Sequence, residues 1–134
     1  MILGVGIDTI DIRRIEKAIM RFGNRFLSRI FTDSEIAKAQ SRVINQSIYA
    51  ASFAKRFAAK EAASKALGTG FRDGVYWRDL NIVNTNKGKP TIMMTGGAAK
   101  VLKDLTPSNM EVKVDLSITD EYPLAEAIVI ISAF

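Results

Sequence analysis

Arg56-Phe57-Ala58-Ala59-Lys60-Glu61-Ala62-Ala63-Ser64-Lys65-Ala66-Leu67-Gly68-Thr69-Gly70 has the composition of the closing turns of a helix. Gly68 is placed to end it as a left-handed cap, and the helical pattern reaches back to about Gln46. Ala51, Ala54, Ala58, Ala62 and Ala66 recur at spacings of three and four, a narrow stripe that lets another element approach closely. At about 100° per residue, Glu61 and Lys65 fall within roughly 40° of one another at an edge of that stripe. Lys60 is expected to point nearly the opposite way. A carboxylate and an ammonium held side by side on a rigid element suit a metal ion and a phosphate. They are equally the form of a solvated ion pair contributing about 0.2–0.5 kcal/mol.

Upstream, Met1-Ile2-Leu3-Gly4-Val5-Gly6-Ile7-Asp8 is an apolar run with alternate glycines, closed by an acid. It predicts a strand, and its glycines predict close backbone approach by a neighbour or ligand. Asp8 then stands at the strand's carboxyl end, as a ligand or as a turn acid, and Asp11 is placed to cap the next helix. Ile12, Ile15, Ile19 and Phe22 mark the apolar face of that helix, which should stop at Gly23. Its other face carries Arg13, Arg14, Lys17 and Arg21, with Arg25 and Arg29 beyond the break. Thr32-Asp33-Ser34-Glu35 has the form of a capping box and predicts another short helix.

After residue 75 strands dominate. Leu80 to Asn84 and Pro90 to Met94 read as a hairpin, Gly96-Gly97 opens a short helix to about Leu102, and Val112 to Ile118 alternates as a half-buried strand. Asp120-Glu121-Tyr122-Pro123 turns it back into the apolar strand from Leu124 to Ile131. The pattern predicts an α+β fold: a largely antiparallel sheet with the long helix packed across it by its alanine stripe.

The chain has 134 residues, which predicts one domain over 1–134. Hydrophobic residues at 48% and charged ones at 25% place it among folded proteins rather than disordered ones. No apolar run approaches the roughly 20 residues of a membrane span, and the first residues lack the pattern of an export signal. Cysteine is absent, so disulfides and thiolate metal sites are excluded, and a reducing, cytoplasmic setting is expected. Histidine is absent too. No imidazole can act as base, and any metal must be held by oxygen, which favours magnesium, manganese or calcium. Nineteen basic against fourteen acidic residues give +5, a balance that predicts anionic partners.

Taken together, these segments resemble the holo-(acyl-carrier-protein) synthase family, the small type of 4'-phosphopantetheinyl transferase. The resemblance rests on Gly4-Val5-Gly6-Ile7-Asp8 with Asp11-Ile12-Arg13-Arg14-Ile15, and on Phe26-Leu27-Ser28-Arg29-Ile30-Phe31-Thr32 with Glu35. Phe57-Ala58-Ala59-Lys60-Glu61-Ala62 and Lys65-Ala66-Leu67-Gly68-Thr69-Gly70 continue it. Trp77-Arg78-Asp79-Leu80, Gly88-Lys89-Pro90 and Leu116-Ser117 complete it. It implies magnesium-dependent transfer of the phosphopantetheine arm of coenzyme A to a serine of an acyl carrier protein, releasing adenosine 3',5'-bisphosphate. Asp8 and Glu61 match the family's metal acids, and Lys65 its lysine beside the transferring phosphate. Arg56, Lys60, Lys89 and the Gly88-Lys89-Pro90 turn are candidates for the nucleotide end of coenzyme A. Arg56 lies about 140° from Glu61 around the helix and is a candidate for a neighbouring subunit's site. The row Arg13, Arg14, Lys17, Arg21 and Arg25 is the candidate docking face for the carrier protein; a solvated amphipathic helix would look the same. The resemblance also implies a homotrimer with the active site between subunits.

One position departs from the family. Many members have histidine after the Leu-Ser pair, where this chain has Ile118. The serine proton is therefore expected to reach Glu61 or Asp8 through the ion's water, with Lys65 staying protonated beside Glu61. Two other readings compete. A small basic nucleic-acid-binding module would explain the charge, but it lacks clustered exposed aromatics and gives Asp8 and Glu61 no task. A non-catalytic member of the fold would explain the missing histidine.

Overall fold

The computed structural model describes residues 1–41 and 45–134. Five helices and five strands follow one another: β1 (Ile2–Asp11), α1 (Ile12–Phe22), α2 (Asn24–Ile30), α3 (Asp33–Gln40) and α4 (Gln46–Leu67), then β2 (Leu80–Asn84), β3 (Pro90–Met94), α5 (Gly96–Leu105), β4 (Val112–Glu121) and β5 (Leu124–Ala133). A 3-10 turn, Trp77–Asp79, leads into β2.

Local chemistry explains most boundaries. The Asp11 side chain accepts from the Arg13 N–H and starts α1. Gly23, at φ 55°, separates α1 from α2. Thr32 and Glu35 satisfy each other's backbone in the capping box expected at the start of α3. Asn45 caps α4, and Gly68 ends it at φ 83°, where any Cβ would be strained.

All strand pairing is antiparallel, as expected, but it divides into two sheets. β1-β5-β4 form one, and the hairpin β2-β3 forms the other. β1 runs further than its apolar pattern indicated, because β5 pairs with it continuously from Gly4↔Ile131 to Asp11↔Leu124. Asp8 therefore lies within the strand, opposite Ala127, rather than at its end.

The long helix α4 crosses the inner face of the three-stranded sheet, packed chiefly on β1 and β5 with α1 alongside. Its alanine stripe is buried where expected: Ala54, Ala58 and Ala62 have no exposed surface. The far side is covered as well. Ala59, Lys60 and Ala63 are also fully enclosed, because β2 and α3 close over that side. A helix buried on two sides has no broad polar face, which is why polar residues on it need individual accounts.

Candidate active site

Strand β1 and helix α4 touch backbone to backbone. A Cβ added at Gly6 would lie 2.8 Å from the Ala66 nitrogen and would overlap the Ala62 carbonyl oxygen. One added at Gly4 would overlap the Ala66 carbonyl. Two strand residues advance about 6.6 Å and four helix residues about 6 Å, so the glycines and alanines stay in step. Asp8 is the next residue on that inward side of β1, and its partly buried side chain faces α4.

There the acid meets the helix's charges. Lys65 Nζ donates to the Ile7 carbonyl (3.0 Å) and to Asp8 Oδ1 (3.1 Å). Burial pushes the Glu61 carboxyl above its ordinary range, and the Asp8 charge pushes it further in the same direction. Lys65 and Arg14 pull it back. The structure thus brings together Asp8, Glu61 and Lys65, as the sequence indicated. It adds Arg14 of α1 to their surroundings, a neighbour that the docking-face reading did not anticipate.

A carboxyl whose pKa is raised by burial and by its neighbour Asp8, in a chain with no histidine or cysteine, fits a hard divalent cation. Magnesium keeps several waters and takes only one or two protein carboxylates, a demand that a pair such as Asp8 and Glu61 would meet. Among the described residues no cluster of three or more acid, histidine or cysteine side chains offers an alternative cage.

Lys60 requires a correction. Its side chain has no exposed surface, so it is unavailable to coenzyme A. Its ammonium lies 2.7 Å from Glu35 Oε1 and donates to the carbonyls of Leu80 (2.6 Å) and Trp77 (3.1 Å). Burial lowers its pKa, and the Glu35 charge opposes that shift. Helical periodicity placed Lys60 away from the alanine stripe and could not reveal the second covered side. In the sequence Glu35 had a capping role and a place in the family pattern but no buried partner; its carboxylate also accepts from the Ile82 N–H at 2.8 Å.

The other cationic candidates line cavities that Asp8 and Glu61 do not. Arg56 bonds back to the Ser52 carbonyl at 2.8 Å and lines a cleft of about 400 Å³ with Lys38, Ile82, Asn84, Pro90 and Ile118. Gly88 takes φ 80° in the hairpin turn, which returns the chain to Pro90. Lys89 is exposed, 3.9 Å from Asp115, beside a second groove that also reaches Ile118. Neither cavity is lined by Asp8, Glu61 or Lys65.

On the docking row, Arg13, Arg14, Lys17, Arg21 and Arg25 are all exposed. Arg13 is engaged locally: its hydrogen bonds hold Asp11 down at about 2. Arg21 sits over the Phe22 ring, 5.2 Å from its centroid. Met20 and Phe22 are exposed beside them, an apolar rim for a basic surface.

Comparison with known proteins shows the family of the chain. Residues 4–127 match the 4'-phosphopantetheinyl transferase superfamily. A holo-[acyl-carrier-protein] synthase of Nitrobacter hamburgensis is 60% identical over 133 residues, covering 99% of this chain and 96% of that protein. The crystal structure of the holo-[acyl-carrier-protein] synthase of Neisseria meningitidis superposes with a TM-score of 0.82 at 34% identity, covering 98% of this chain and 99% of that one. The Helicobacter pylori holo-[acyl-carrier-protein] synthase, solved in complex with coenzyme A, gives 0.78 at 31% identity, covering 96% and 99%. The chain therefore belongs to the 4'-phosphopantetheinyl transferase superfamily, within its holo-[acyl-carrier-protein] synthase family.

Proposed function

We propose that this protein transfers the 4'-phosphopantetheine group of coenzyme A to a serine hydroxyl of an apo acyl carrier protein, serving fatty acid biosynthesis. The observation that carries the reading is the convergence of Asp8, Glu61 and Lys65 from a strand and a helix onto one spot. Asp8 and Glu61 are assigned as the ligands of a magnesium ion. When bound, that ion neutralises charge on the pyrophosphate as a Lewis acid.

The serine oxygen forms the new bond to phosphorus, and the bond between that phosphorus and the bridging oxygen breaks. Adenosine 3',5'-bisphosphate leaves with the electron pair. Lys65, hydrogen-bonded to Asp8, supplies a point charge for the transferring phosphate. The serine proton passes to Glu61 or Asp8, since the chain holds no imidazole. Ile118 makes the cleft wall apolar at the position where many family members have histidine.

The Arg56 cleft and the Lys89 groove are lined by neither Asp8 nor Glu61, as expected if a neighbouring copy completes the site. This supports a homotrimer in which Arg56, Lys89 and the Gly88–Pro90 turn of one subunit hold the nucleotide beside a neighbour's Asp8 and Glu61. The outer sheet face supports it as well: Val5, Ile7 and Ile128 are exposed, and Ile7 pairs directly with Ile128. The whole chain is read as one transferase domain, and its lack of cysteine suits a cytoplasmic location. Arg13, Arg14, Lys17, Arg21 and Arg25 form the surface for the acidic carrier, steering association in a salt-dependent way.

Incubation of the protein with apo carrier protein, coenzyme A and magnesium tests the reading by mass spectrometry. The carrier should gain the mass of one phosphopantetheine group, and only when the divalent ion is present. An unchanged carrier mass would refute the activity.

A further inference from the structure

The Glu35–Lys60 pair is the one wholly buried charge pair among the described residues, and the chemistry above gives it no task. Its two ends face β2. Lys60 donates to the carbonyl of Leu80, and Glu35 Oε2 accepts from the N–H of Ile82. Residues two apart on a strand present their backbone groups to the same edge. The pair thus offers β2 one donor and one acceptor, as a neighbouring strand would.

All three ammonium donors of Lys60 are used, on Glu35, Leu80 and Trp77. Glu35 Oε1 also accepts from the Thr32 N–H at 2.8 Å, which ties the start of α3 into the same knot. Three elements therefore meet here: α3, α4 and β2. The same three wall much of the 400 Å³ cleft, with Lys38 from α3, Ser52 and Arg56 from α4, and Ile82 and Val83 from β2, beside Pro90 of β3 and Ile118 of β4. Ile82 belongs to both, bonding Glu35 through its backbone while lining the cleft.

We infer that Glu35 and Lys60 are positioning residues for the nucleotide end of coenzyme A, fixing α3, α4 and β2 at the spacing at which the cleft receives adenosine 3',5'-bisphosphate. The inference rests on assigning that cleft to the nucleotide. A charge pair suits the task because each partner makes several short bonds in fixed directions, whereas apolar side chains in its place would let β2 slide against α4. Loss of a pair that only stabilised the fold would lower the unfolding midpoint without altering affinity in molecules that remain folded.

The double variant Glu35→Gln/Lys60→Met removes the charges together and leaves neither partner alone. Calorimetry with adenosine 3',5'-bisphosphate, run far below the unfolding midpoint, should show its Kd raised about tenfold. The affinity of the Asp8–Glu61 site for manganese, measured without nucleotide by electron paramagnetic resonance, should stay at the wild-type value. A nucleotide Kd equal to wild type, despite a lowered midpoint, would overturn the inference. So would a parallel fall in manganese affinity, which would mark a general loosening of the fold. If the double variant does not fold, Glu35→Asp, which withdraws the carboxylate from Ile82, gives the same two readouts. Arg56→Ala separates the underlying assignment: a nucleotide Kd indifferent to Arg56 would remove the cleft reading and this inference with it.

Discussion

Replacing Gly6 by alanine would put a methyl group where the backbone of α4 already lies. The added Cβ would sit 2.8 Å from the Ala66 nitrogen and inside the Ala62 carbonyl oxygen. Comfortable contact needs about 3.5 Å or more, so β1 and α4 must separate by more than about 1.5 Å to clear the Ala62 oxygen. Neither side can yield alone, because β1 is held by β5 along its length and the obstructing atoms are backbone. Overpacking of this kind costs about 3 kcal/mol. At an m-value of about 2 kcal/mol per M, the urea midpoint should fall by about 1.5 M. Function should suffer separately, because Asp8 lies two residues along the same strand. Magnesium bonds of about 2.0–2.1 Å do not stretch by that much, so the bridge between Asp8 and Glu61 should be lost. Urea unfolding followed by fluorescence, together with manganese binding in the folded variant, measures both effects. A Gly6→Ala protein with wild-type midpoint and wild-type manganese affinity would refute the backbone contact and the site geometry built on it.

Glu61→Gln should abolish most transfer to the carrier while leaving the fold intact, and wild-type turnover in that variant would exclude Glu61 as a ligand. In metal-free buffer the same substitution should change the pH dependence of stability. The folded Glu61 titrates above its usual 4.5, so the wild type should lose stability as pH rises through the interval above that value. The variant should lack this component, and identical stability profiles would contradict the assignment of the raised carboxyl. Lys60→Met alone leaves Glu35 charged and buried, which should cost about 3–5 kcal/mol in urea unfolding; a loss under about 1 kcal/mol would show that water reaches the pair. Arg21→Glu should raise KM for the carrier about tenfold, equivalent to about 1.4 kcal/mol, and leave KM for coenzyme A unchanged. Equal rises for both substrates would argue against a docking role.

Much of the fold was legible because its signals are local. Gly68 ends α4, Thr32 with Glu35 starts α3, and the alternation at Val112–Ile118 marks β4, all within short windows. Asp8, Glu61 and Lys65 were legible as a group through the resemblance to a known family, whose membership is now shown. Their mutual approach depends on Gly4 and Gly6, whose alternate spacing had signalled a close neighbour without identifying it as α4. The misreading of Lys60 has a different origin. Periodicity reports how a helix differs from face to face, and α4 is enclosed on two sides. Only the tertiary contact with Glu35 and β2 makes a buried lysine tolerable there. The division of the strands into two sheets was hidden for a related reason, since alternation marks a strand but not its partner.

The most direct test uses crystals of the protein grown with coenzyme A and manganese, located by anomalous scattering. A single strong peak bonded to the Asp8 and Glu61 carboxylates and to a pyrophosphate oxygen is the predicted result, with bonds of about 2.1–2.2 Å. A peak held by neither carboxylate, with coenzyme A bound, would contradict the account at its centre.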